Sequence, residues 1–337
     1  MLTAAEVKKK ALALGADEVA IGNIARWAGA PIQQDPVQIM PEARSIIAMS
    51  FRVMRGSLRG IEEGTFFSNY SAMGYGGITY LYMPLVVINL AKFIEDDGYE
   101  AIPYGHQSDW RAIDQVGKLR KDYARPVAPG RAAPDVAVHL RIAAYLAGLG
   151  EIGFSKMFLS PRFGPRCRVG IVITDLPLDA DPIRPQGQIC DRCYECVKAC
   201  PAGALKKTKT VKVNLAGHDL EWTDINCEAC DMAFGGGKRT TDEAPESEQF
   251  RPKWGKWSFR PGSWSPFAKK PRQLYNTGQA VCGARGCTRA CMMHLEERGV
   301  IENKVHQPVR RRAPWKVDWS QPYDADAATS TDTSTTD

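Results

Sequence analysis

Between Cys190 and Pro201 the chain reads CDRCYECVKACP, a C-x2-C-x2-C-x3-C-P run, and no other segment constrains the fold as strongly. Thiolates at that spacing hold a [4Fe–4S] cluster, and the fourth cysteine ligates a second one. Cys190, Cys193 and Cys196 are therefore expected at three irons of one cubane. Cys200, one helical turn on, points toward the other. A zinc knuckle would present C-x2-C pairs separated by a longer insert, which makes it the weaker reading.

Two cubanes need eight ligands. Downstream lie Cys227, Cys230, Cys282, Cys287 and Cys291. The pseudo-symmetric assignment gives cluster one Cys190, Cys193, Cys196 and Cys291. Cluster two takes Cys200, Cys287, Cys282 and one of Cys227 or Cys230, so one thiol is left over. The second group is looser than the first: its spacing is C-x4-C-x3-C, and Met292 stands where the first motif has Pro201.

The other cysteine, Cys167, stands alone, because nine of the ten lie between positions 190 and 291. That asymmetry predicts a thiol-poor domain over 1–185 and an iron–sulfur domain over 186–320. A Trp-rich loop (235–275, with Trp254, Trp257 and Trp264) interrupts the second domain, and a tail at 321–337 lacks an apolar anchor and is expected to be disordered. With 337 residues, 44% of them hydrophobic, the chain can build such cores. Thiols in these numbers imply a reducing compartment, and a cytoplasmic location is expected. The longest apolar run, Leu81–Ile94, is shorter than a bilayer span and contains Pro84 and Lys92, so no membrane partner is expected. A net charge of +6, with Arg310-Arg311-Arg312 the densest run, lacks the basic–aromatic stripe of a nucleic-acid binder. It suits an anionic substrate or an acidic electron donor. Gly235-Gly236-Gly237-Lys238 reads as a glycine turn, because it lacks the spacing of a phosphate loop.

Thr3 and Glu6 form a capping box for an N-terminal helix that Gly15 closes. Strands are expected at Glu18–Ile21, Ser45–Phe51, Tyr99–Ile102 and along CRVGIVITDL, with helices over 78–97 and Asp135–Leu149. Strands and helices do not alternate regularly, which predicts α+β.

Residues 142–176 read IAAYLAGLGEIGFSKMFLSPRFGPRCRVGIVITDL, and the cysteine motif begins fourteen residues later. This block resembles the cobalamin-dependent reductive dehalogenases. Their relatives, the epoxyqueuosine reductases of tRNA modification, share the AGLG turn and the two-cluster module. The resemblance is specific over 134–205. It implies a nitroreductase-like cobalamin-binding domain followed by a bacterial ferredoxin-type module with two [4Fe–4S] clusters. Cobalamin would be bound base-off, which the absence of any ligand spacing among the five histidines fits. Gly148, Leu149, Gly150, Glu151, Ile152 and Gly153, with Ser160, would receive it. The W-x-D-x-x-C lead-in favours Cys227 over Cys230. The implied reaction removes halide from an organohalide, with electrons from an external ferredoxin or flavodoxin. An oligomer is compatible with the sequence, and a halogenated acid is the guessed substrate.

Catalytic roles implied by the resemblance fall on Arg168, then Arg166, and on a tyrosine acid. Tyr104 is the first choice, with His106 and Asp109 nearby; Tyr75 and Tyr70 follow. Where epoxyqueuosine reductases carry an aspartate before the glycine turn, this chain has Asp135, read here as a helix N-cap. The rival functions are an epoxyqueuosine-reductase-like enzyme and a plain ferredoxin-type carrier.

Overall fold

The computed structural model describes residues 1–63, 65–66, 69–106, 125–227, 229–230, 286–302, 304–307 and 309. Gly235–Lys238, Trp254, Trp257, Trp264, Cys282, Asp109, Arg310–Arg312 and the tail lie outside them.

Helix α1 (Ala4–Leu14) starts and stops as its sequence dictates. The Thr3 hydroxyl accepts from Glu6 N at 3.3 Å, and Thr3 N donates to the Glu6 carboxylate at 2.8 Å. Such caps contribute about 1 kcal/mol. Strand β1 (Glu18–Asn23) follows, then β2 (Ser45–Arg52), helix α2 (Gly56–Glu63) and a π-helix (Tyr70–Tyr82) that continues directly into α3 (Met83–Glu95). Next come β3 (Ala101–Tyr104), α4 (Leu140–Leu146), the short hairpin β4 (Glu151–Ile152) and β5 (Phe158–Leu159), and β6 (Cys167–Thr174). Helix α5 (Glu195–Ala199), the hairpin β7 (Thr210–Leu215) and β8 (His218–Thr223), and α6 (Cys287–Glu297) complete the order.

The main sheet runs β1-β2-β6-β3, and each of its pairings is antiparallel. Helices and antiparallel strands are thus combined as the sequence predicts. β2 is buried at seven successive positions because both faces of the sheet are covered. Side chains alternate across a strand, so Ile47, Met49 and Phe51 enter one core while Ile46 and Ala48 enter the other. β6 divides the same way: Val172 faces the first core, and Cys167, Val169, Ile171 and Ile173 face the second. α3 lies across the first face through Met83, Val87 and Leu90. Gly170 permits that approach, since a Cβ there would sit 2.8 Å from Val87 Cγ2 and 3.0 Å from Met83 Cγ.

Two expectations are corrected. The helix expected over 78–97 begins at Tyr70, and Tyr70–Glu95 forms one apolar helical stretch of 26 residues with mean hydropathy 1.5. Among the described residues it alone is long and apolar enough to cross a membrane, and its inner face is core. The helix expected from Asp135 begins at Leu140, with His139 as N-cap. Asp135 has φ 64° and lies four residues before His139, outside the helix. Packing also crosses residue 186, because Ile189, Met292, Leu295 and Ile301 share the first core with Val7 and Leu90.

Candidate active site

The first cysteine loop is held by a buried carboxylate. Glu151, 1% exposed, accepts from the backbone N–H of Gly187 (2.8 Å), Ile189 (2.8 Å) and Cys190 (3.3 Å). Hydrogen bonds to a charged acceptor are worth about 1.5–3 kcal/mol each, enough to fix the loop. Phe154 N donates to Cys190 Sγ at 3.3 Å, and Cys193 N to the Asp191 carboxylate at 3.2 Å. Arg192 (φ 59°) and Tyr194 (φ 62°) take the left-handed conformation that turns this loop, a strain of about 1–3 kcal/mol each. Asp191, Cys193 and His294 lie together, but Asp191 is already paired with His294 at 2.8 Å and Arg298 at 3.3 Å.

The described thiols crowd one another, with Cys287 acting on both Cys196 and Cys291. Burial pushes the Cys291 thiol well up, and the nearby Cys190, Cys196 and Cys193 push it further. Cys196 is pushed up to about 12 by burial, then by Cys287, Cys190 and Cys193. Cys287 is raised by burial and then by Cys200, whose Sγ accepts from Ala204 N at 3.3 Å. Thiols gathered this way resist ionising beside one another unless a cation compensates, and iron supplies that charge. The donor set fits iron–sulfur ligation. Cys227 and Cys230 are both exposed, near Lys156 and Arg141 respectively.

The glycine turn is filled by the chain itself. Gly148 has φ 85°, and a Cβ there would collide with the Pro182 carbonyl; one on Gly150 would collide with the Leu159 carbonyl. Leu149 and Ile152 belong to the second core. Ser160 is fully buried, accepting from Arg162 N (3.1 Å) and Phe163 N (3.0 Å) and donating to Glu18 (2.5 Å). Most of these residues, expected to cradle a corrinoid, pack internally, while Gly148 and Leu149 also line a cavity with Glu18, Asp181 and Gln188. Its observed work is to present Glu151 and Phe154 to the cysteine loop.

Arg168 gathers the tyrosines. Its Nη2 donates to Tyr70 Oη at 3.1 Å, and its guanidinium lies 4.3 Å from the centre of the Tyr75 ring. Among the described residues the Arg168 Nε–H has no acceptor. Tyr80 Oη lies 3.2 Å from His106 Nδ1, and Tyr80 is also hydrogen-bonded to Tyr75. The π-helix explains this convergence. Its hydrogen bonds run i→i+5, a wider turn than the α-helix's, so the five-residue steps Tyr70–Tyr75–Tyr80 rotate less around the axis than they would at 3.6 residues per turn. In an α-helix, at 3.6 residues per turn, they would diverge.

Positive charge surrounds the group. Burial lowers the His106 pKa, and Arg168 and Arg141 lower it further. Arg141 is itself lowered by burial and by Arg168, while its Nη1 donates to the Lys156 carbonyl at 2.9 Å. His139 falls to about 3, through burial and then Arg141 and Lys156. Burial raises Tyr80, and Tyr75 raises it further. Such a site favours an anion: a tyrosinate, a halide or a substrate carboxylate.

Tyr104 is not among them. It pairs with Ile171 across β3 and β6, so it faces the second core, opposite Arg168. Its hydroxyl donates to the Val136 carbonyl at 3.1 Å, and burial pushes it up to about 12. Arg166 is 7% exposed, donates to the Val53 carbonyl at 2.6 Å and lies beside Glu296 and Arg55. It ties the strand to α6 and does not meet the tyrosines. Cys167 is buried with its thiol on the Gly164 carbonyl (3.5 Å), away from the other cysteines. Sequence reasoning missed Tyr80 and Arg141; the signal available was the Y-x4-Y-x4-Y repeat.

No family model matches the chain. A tetrachloroethene reductive dehalogenase of Dehalobacter restrictus is 32% identical over 139 residues, covering 41% of this chain and 20% of the relative. An epoxyqueuosine reductase of Synechococcus is 35% identical over 126 residues, covering 35% and 38%. The chain thus spans about a fifth of the length of the dehalogenases it matches. A solved catabolic reductive dehalogenase superposes with TM-score 0.47 at 21% identity, over 68% of this chain and 28% of that one. The homologues of this chain are reductases of both kinds.

Proposed function

We propose that the chain is an oxidoreductase that removes halide from an organohalide, fed by two [4Fe–4S] clusters and a low-potential ferredoxin or flavodoxin in a reducing cytoplasm. The observation that carries this reading is the tyrosine group gathered by Arg168 within reach of cationic side chains, with no carboxylate among its described partners. Replacing halide by hydrogen needs two electrons and one proton, and it releases an anion. A phenol beside a guanidinium can give the proton and be stabilised as tyrosinate. Tyr75, under the Arg168 guanidinium, is the donor in this reading, and Arg168 Nε–H receives the anion. This moves the role from Tyr104 to one of its alternates.

Cluster one takes Cys190, Cys193, Cys196 and Cys291; cluster two takes Cys200, Cys287, Cys282 and Cys227. A nitroreductase-like layout and base-off cobalamin follow from the sequence resemblance. When bound, that group would supply a strongly reducing cobalt centre. No proton step depends on it.

The second reading, an epoxyqueuosine-reductase-like enzyme, is favoured by Asp135. This exposed residue is held at φ 64° in a loop beside Tyr104, and strained backbone of this kind gathers at functional sites. Anaerobic protein, reconstituted with iron, sulfide and cobalamin, separates the two. Halide release from a panel of halogenated aromatic and aliphatic acids is expected. Conversion of an epoxyqueuosine-bearing tRNA stem loop without halide release would replace the first reading by the second.

A further inference from the structure

We propose that His106 resupplies protons to Tyr75 through Tyr80, so that the π-helix and the end of β3 together form a proton relay. The inference rests on the reading of Tyr75 as the proton donor and deepens it.

Three contacts define the path. The Tyr75 ring sits under Arg168 at 4.3 Å, Tyr80 is hydrogen-bonded to Tyr75 with ring centres 6.1 Å apart, and Tyr80 Oη lies 3.2 Å from His106 Nδ1. The His106 ring stands edge-on to both tyrosines, at 5.5 Å from Tyr80 and 6.3 Å from Tyr75. The path also has a direction. The relay requires Tyr80 O–H to donate to Tyr75 while the Tyr80 oxygen accepts from the Nδ1–H tautomer of His106, 3.2 Å away. It runs from two half-buried tyrosines to His106, whose side chain reaches the surface among the described residues although part of its ring is packed against protein.

Among the described residues, the groups facing His106 are Tyr75 and Tyr80 from the π-helix, Arg168 from β6 and Arg141 from α4. Both arginines disfavour an imidazolium, so His106 works as a neutral ring that changes tautomer.

The balance closes as follows. The carbon takes two electrons, delivered from the external donor, and loses halide. The Tyr75 O–H bond breaks as the new C–H bond forms, leaving a tyrosinate beside Arg168. The Tyr80 proton moves to Tyr75, the Nδ1 proton moves to Tyr80, and Nε2 takes a proton from the medium. Exchange with solvent then returns the Nδ1–H tautomer.

A relay is needed only to refill Tyr75, which starts each first turnover protonated. In the reconstituted holoenzyme, His106→Phe should therefore release a first equivalent of halide at the wild-type rate. Later turnovers should slow by about 10–100-fold and recover with added imidazole, within the range of general acid–base effects. An unchanged steady state, or a first turnover lost together with the later ones, would overturn the relay. Nitrogen NMR of ring-labelled histidine in the full chain tests the hydrogen bond without any substrate. The Nδ1–H tautomer is expected in wild type, with its hydrogen-bonded proton lost in Tyr80→Phe. An Nε2–H tautomer would refute the relay whatever the substrate. The Nδ1–H tautomer in a protein that releases no halide would sustain the relay and remove the organohalide reading.

Discussion

The two faces of β6 carry tyrosine and basic side chains in opposite circumstances. On the face toward the π-helix, Arg168 meets Tyr70 and Tyr75, and its Nε–H is left without an acceptor among the described residues. On the other face Tyr104 gives its proton to the Val136 carbonyl, and His139 caps α4 through Nδ1 at 3.4 Å from Ile142 N. One face keeps bonding capacity for a ligand, while the other spends it on the fold. The residue types are the same, and the partners decide the role. Variants on the first face should therefore alter rate at constant stability, and variants on the second should do the reverse.

Among variants that spare the proton donor, the largest effect should come from Arg168. Arg168→Gln keeps a donor for Tyr70 but removes the charge beside a developing tyrosinate and a departing halide. Turnover should fall by about 10²–10³-fold, comparable to the loss of one preorganised donor in other sites. The urea midpoint and iron content should stay unchanged; a midpoint shift that accounts for the lost activity would collapse the distinction between the faces.

The second face should show itself in pH dependence. His139 has a folded pKa of about 3 against 6.5 when free, so the unfolded chain binds more protons between those values. Stability is then fully present above about pH 6.5 and is lost progressively as pH falls toward 3. His139→Asn, which keeps a capping acceptor, should flatten that part of the urea-midpoint profile. A profile of unchanged slope would mean that His139 is not held neutral.

Tyr104→Phe should be milder, with about 1 kcal/mol lost because the Val136 carbonyl gives up its donor. Thermal melting at neutral pH measures it. A stable variant with slowed turnover would return Tyr104 to the reaction.

What could be read from the sequence was whatever depends on local spacing. The Thr3–Glu6 capping box, Gly15 and the starts of β1 and β2 all depend on neighbours a few residues away. Tyr104 was misplaced because its face depends on the pairing of β3 with β6, which no local pattern states. Glu151 reads as part of a cofactor turn until Gly187, Ile189 and Cys190, 36–39 residues on, are seen to donate to it. The tyrosine triplet was hidden by an assumption about period: five-residue steps scatter around an α-helix and stay closer together on the wider turn of a π-helix.

The assignment of chemistry to one face of β6 is tested most directly by comparing Tyr75→Phe with Tyr104→Phe in protein matched for iron and cobalt content. Phenylalanine preserves volume at both positions and removes only the acidic proton. The account predicts that Tyr75→Phe slows halide release by about 10²–10⁴-fold, as for the loss of a general acid, while Tyr104→Phe leaves it unchanged. Normal turnover by Tyr75→Phe together with a defect in Tyr104→Phe would contradict it.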